Sequence, residues 1–157
     1  MTRKFALVLL TSLLAAGCIA AADKPDLSGT WTIDLEKSDF GMMPPPTKLE
    51  RKIAHKDPDF NVTTLQANAR GERTSEAKMT TDGKECEIQI MGRPAKAKAV
   101  WEGKSIIVTT KAEFQGNELT QVEKWTLSED GKTLQAESTL NSPMGENKSK
   151  LIFKKAE

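Results

Sequence analysis

Tyrosine is absent from this 157-residue chain, histidine occurs once, cysteine twice, and aromatic residues together make up 5%. Each scarcity removes a class of chemistry. Any triad or zinc site built on imidazole would have to use His55. Its acidic neighbours Asp57 and Asp59 flank Pro58 in what reads as a solvated turn, whereas a metal site needs three or four converging ligands. Cys86 lies between Glu85 and Glu87, whose charge disfavours a thiolate, so it reads as an inert thiol on an apolar strand face. Glycines fall singly at turns and build no phosphate cradle. Two cysteines make no disulfide framework, and stability must come from the core. No constellation marks a catalytic site, and no cofactor or metal is implied.

Charge of one sign is missing too. Lys and Arg number 23 against 22 Asp and Glu, for a formal charge of +1. Without a basic block, a nucleic-acid partner has no electrostatic footprint to bind.

One apolar run stands out, at the beginning. Arg3 and Lys4 precede Phe5 to Leu14, and Ala15-Ala16-Gly17-Cys18 follows. The run is too short to span a bilayer and has the three-part order of a secretory signal. Two cleavages are open. Leu14-Ala15-Ala16-Gly17-Cys18 is similar to a bacterial lipobox, in which Cys18 is lipidated and becomes the mature N-terminus. Ordinary cleavage after Ala20-Ala21-Ala22 would instead release a soluble protein beginning at Asp23. The expected organisation is a signal peptide over residues 1–22 and one domain over 23–157. The expected location is the bacterial cell envelope, as an outer-membrane lipoprotein or a soluble periplasmic or secreted protein. Contact with a membrane would then run only through the lipid anchor.

From Ser28 onward apolar and polar residues alternate with period two, punctuated by turn residues. Asp82-Gly83, Glu102-Gly103, Gly116-Asn117 and Asp130-Gly131 each separate two alternating runs, a strong short-range hairpin signal. Ten strands result, each expected to pair with the next, and no segment after the leader has helical periodicity. The fold class is therefore all-β, a single antiparallel meander barrel of about ten strands preceded by a signal peptide. Alternation leaves open whether the first and last strands pair.

The same alternation predicts what faces inward. Val108, Thr110 and Ala112 belong to one inward set with Ile106 and Phe114. Gln121, Glu123 and Trp125 belong to the next, and Arg51 lies between Leu49 and Ile53. Alanines at 95, 97 and 99, with Ser138 and Ser149, make much of the lining small. Ten strands lined this way leave unfilled volume unless the barrel flattens into a sandwich. Arg51, Val108, Thr110, Ala112, Gln121, Glu123 and Trp125 are the candidate ligand-binding residues. Arg51 and Glu123 would orient a polar headgroup, or else sit in water at the barrel mouth.

Leu27-Ser28-Gly29-Thr30-Trp31 resembles the start of a lipocalin or fatty-acid-binding-protein barrel, the calycin families, which carry Gly-x-Trp on the first strand. Ten strands suit the fatty-acid-binding type. Lys37-Ser38-Asp39-Phe40-Gly41 and Glu123-Lys124-Trp125-Thr126-Leu127 are also similar to small exported bacterial proteins of lipocalin-like type. The resemblance implies that Gly29 and Trp31 form the barrel floor, Trp31 beside a basic residue of the last strand, Lys154. Departures matter here. The proline-rich segment after Phe40 has no room for the two lid helices, and the Arg-x-Tyr carboxylate clamp is missing from Lys148-Ser149-Lys150-Leu151. Fatty-acid binding is thus not implied.

The sequence favours a non-enzymatic container for a small apolar or amphipathic ligand. The alternative is an interaction or structural module working through a strand edge or loops, with Met42-Met43-Pro44-Pro45-Pro46 as its contact surface.

Overall fold

Hairpin turns cut the chain into ten antiparallel strands: β1 (Gly29–Ile33), β2 (Lys48–Lys56), β3 (Asp59–Asn68), β4 (Gly71–Thr80), β5 (Cys86–Ile90), β6 (Arg93–Glu102), β7 (Ser105–Phe114), β8 (Asn117–Leu127), β9 (Thr133–Ser142) and β10 (Gly145–Lys155). The computed structural model describes residues 24–90 and 92–157. The expected signal peptide and the lipidation at Cys18 lie outside the described residues.

All ten strands form one sheet in the order β4-β3-β2-β1-β10-β9-β8-β7-β6-β5. Pairing of β1 with β10 answers the question that alternation left open: Trp31 lies opposite Lys155, and Ile33 opposite Phe153. Every strand pairs with its sequence neighbour except β4 with β5, which corrects the expectation of an unbroken meander. The turn explains the gap. Asp82 forms a bridge with Val100 on β6, and Gly83 N–H donates to the Ala99 carbonyl. The chain leaving β4 is thus tied to β6, and β5 begins with its edge held away from β4. The result is a nearly closed barrel with one seam.

On β7 to β10 inward positions grade in burial along the strand, whereas on β2 and β6 Leu49, Ala95 and Ala97 stay buried towards the same end. At one end Trp125 and Met79 are buried, and Leu27, Trp31, Phe60, Ile106, Leu134 and Phe153 are fully so. At the other end Thr110, Ala112, Leu119, Leu140 and Ser149, on the same inward faces, are half-exposed. One end of the interior is buried throughout, and at the other Leu49 and Ala95 are buried while the inward positions of β7 to β10 are half-exposed.

The segment after β1 leaves the ladder at Asp34, whose carboxylate meets Lys154 Nζ at 2.7 Å. It rejoins β10 at a bridge between Asp39 and Lys150. Gly41 then turns with φ of 60°, and a Cβ there would overlap the Lys148 carbonyl oxygen and Asn147 Oδ1. Only glycine lets the backbone lie this close to β10. The loop beyond it holds Met42 and Met43 exposed beside the open end, where Met42 N–H donates to Asn147 Oδ1. Met144 and Phe114, also exposed, sit on neighbouring turns at that end.

Candidate functional site

Where the packed and open halves meet, a charged pair crosses the barrel. Arg51 on β2 and Glu123 on β8 belong to opposite walls, and Arg51 Nη2 donates to Glu123 Oε1 at 2.9 Å. Their side chains are 9% and 11% exposed. Both inward assignments therefore hold, and the pair is buried instead of lying in water at the mouth. The guanidinium is clamped between rings, 4.4 Å from the Trp125 centroid and 4.9 Å from that of Phe153. Trp125 is itself braced edge-on by Phe60 at 5.6 Å.

The geometry leaves donors over. Arg51 Nε and Nη1 and Trp125 Nε1 are buried and have no acceptor among the described residues. Such groups are uncommon in folded chains, because each forfeits its hydration without replacement. Gln121 lies one inward position closer to the mouth and donates to Ser138 Oγ at 3.0 Å. Thr110 and Ala112 line the open half above it, and Val108 is buried at the level of Glu123, its partner across the β7–β8 ladder. The seven candidate residues thus occupy one barrel interior, with Arg51, Glu123 and Trp125 as its base and Gln121, Thr110 and Ala112 as its wall.

Below them the floor holds a polar cluster that alternation did not reveal. His55 is buried on the inward face of β2, at 4% side-chain exposure, next to the turn that carries Asp57. It packs between Phe60 and Trp101, and its Nδ1 accepts from Leu27 N–H at 3.3 Å. Asp57 stands outside, bound by the Thr81 hydroxyl, the Trp101 indole N–H and Lys24. These hold its carboxyl down to about 2, the Thr81 hydroxyl contributing most. Because the folded value lies below the ordinary carboxyl value of 3.8, this contribution is complete above 3.8 and is lost as pH falls towards 2. Asp57→Asn is therefore expected to lower the urea midpoint at neutral pH, with the difference from wild type closing between those limits. A difference that persists below pH 2 would show that Asp57 acts by shape alone.

Trp31 fills the floor centrally. Its Nε1 donates to the Leu27 carbonyl at 2.9 Å. The basic residue over its ring is Lys155, at 5.4 Å; Lys154 faces outward and pairs with Asp34. A one-residue difference reverses the face of a strand, which is why the neighbouring lysine takes this place. Gly29 is next to it, with Lys155 crossing so near that a Cβ would meet Lys155 Cε. Cys86 is free and half-buried, and burial pushes its thiol up, away from the nucleophilic form.

Two surface concavities lie outside this interior. One, of about 600 Å³, runs over the outer wall past Ile107, Val122 and Lys124. The other, of about 540 Å³, follows the seam between Ser75 and Lys78 on β4 and Ile88 and Gln89 on β5.

No family model matches the chain, and no curated protein matches it by sequence. Solved structures do. The barrel is similar to the zebrafish ileal bile acid-binding protein complexed with cholic acid, with TM-score 0.59 and 19% identity over 82% of this chain and 98% of that one. A secretory abundant heat soluble protein from Ramazzottius varieornatus superposes with TM-score 0.61 at 13% identity, covering 82% and 94%. The fatty-acid-binding protein of Manduca sexta gives 0.50 at 16% identity, covering 82% and 99%. At these identities the likeness is one of fold: a ten-stranded antiparallel barrel.

Proposed function

We propose that this chain is an exported, non-enzymatic carrier that holds a small apolar or amphipathic molecule in the open half of its barrel. The polar end of the molecule sits on the Arg51–Glu123 base and its apolar body lies along Thr110, Ala112 and Leu119 towards the mouth. One observation carries the reading: among the described residues Arg51 has two buried nitrogens without an acceptor, below inward positions of β7 to β10 that are half-exposed. A cavity with an apolar wall and a few convergent polar groups at its base is the usual form of a small-molecule site. Zebrafish and Manduca proteins of the same fold, whose names state bile-acid and fatty-acid binding, support it. The leader from Arg3 to Cys18 supports export, with lipidation of Cys18 as the anchor.

Native mass spectrometry of the chain from Asp23 to Glu157, purified gently from its own host, tests this. A co-purifying small molecule near one equivalent, lost in Arg51→Ala, is expected. A clean apo mass, with no small molecule extracted, would overturn the carrier reading. Action through the exposed Met42–Met43 loop would then take its place.

A further inference from the structure

We infer that the molecule held in the barrel meets Arg51 with an uncharged oxygen, that of a carbonyl, ester or hydroxyl, and that Glu123 is the residue that disfavours a carboxylate. The inference rests on the carrier reading and specifies its ligand class.

A lone buried guanidinium would favour an acid. Here the anionic place is taken. Glu123 Oε1 sits 2.9 Å from Arg51 Nη2, and both side chains are about nine-tenths buried. The pair is neutral as a unit. A carboxylate arriving beside it would put two anions on one cation in a poorly solvated base, leaving one charge uncompensated. An uncharged oxygen avoids that cost and still accepts from Arg51 Nε or Nη1 or from Trp125 Nε1, all without a partner among the described residues. The other arginines in inward register, Arg73 and Arg93, lie exposed at the rim, and Arg93 stacks on Phe114 there at 4.6 Å. Neither reaches the base, and Lys155, the lysine in inward register on β10, is exposed at the floor over Trp31.

Isothermal titration with dodecanol, methyl dodecanoate and dodecanoate at neutral pH separates the possibilities, because the three share one tail. Wild type is expected to bind the alcohol and the ester at least about tenfold more tightly than the acid. Glu123→Gln, which keeps an oxygen facing Arg51 Nη2 but removes its charge, is expected to reverse that order. Arg51→Met combined with Glu123→Leu, whose base is apolar, is expected to lose the preference while retaining the tail's contribution. Equal or tighter binding of dodecanoate by wild type would overturn the inference and leave the carrier reading standing. So would an order unchanged in Glu123→Gln, since an acid seated head-outward on the rim arginines would not sense residue 123. Failure of wild type to bind any of the three, together with an apo mass from the host, would overturn the carrier reading and this inference with it. The wild-type ratio decides the preference for an uncharged oxygen even if a variant fails to fold, and Glu123→Gln decides the part played by Glu123.

Discussion

Trp31→Ala is expected to destabilise the barrel by about 3–5 kcal/mol, the range for removing a large buried aromatic. Trp31 is fully buried, and its ring lies on the short β1 that joins β2 to β10. It also holds the segment before β1 through its bond to the Leu27 carbonyl. Truncation would therefore open a cavity at the floor and free Leu27, which is itself fully buried. The packed half cannot readily collapse into that space, because the ladders on both sides fix its walls. Urea unfolding followed by circular dichroism measures the loss. Trp31→Phe is expected to fall between, recovering part of the volume but not the hydrogen bond. A loss in Trp31→Ala below about 1 kcal/mol would show that the floor is sealed by Phe153 and Leu27 without it.

The Arg51–Glu123 pair gives the second large effect, and its two single substitutions should mislead. Glu123→Leu alone is expected to cost about 3–5 kcal/mol, because it strands a guanidinium in a buried site. Arg51→Met alone strands the carboxylate at similar cost. Both together are expected to be neutral or stabilising by about 1–4 kcal/mol, since two desolvated charges are replaced by apolar side chains of similar size. The double-mutant cycle would then report a large coupling from a pair that adds nothing net to stability. That outcome would assign the pair to ligand recognition. A double variant as unstable as either single one would assign it to the fold, and would weaken the case that the unpartnered donors await a ligand.

How much of this was legible beforehand differs by feature. Hairpin turns were plain because Asp-Gly and Gly-Asn pairs impose a local backbone geometry that owes nothing to the rest of the chain. The inward faces of β2, β7 and β8 were set by apolar anchors such as Leu49, Ile53, Ile106 and Trp125. Period two then carried Arg51 and Glu123 inward even though Ile107 and Val122 break the apolar–polar alternation. The seam between β4 and β5 was not legible, since it depends on Gly83 bonding to Ala99, sixteen residues on. Nor was the burial of His55, which needs Phe60 and Trp101 to close over it from β3 and β6.

The sequence by itself determined the class of the fold, the number of strands and the side chains that line the barrel, because turn chemistry and period-two patterning act over a few residues. Tertiary structure alone decided which half of the barrel is filled and that Arg51 meets Glu123. Those two residues are 72 positions apart on opposite walls, and they come together only when β1 pairs with β10. Local pattern can turn a residue inward. What it finds there is fixed by closure of the sheet.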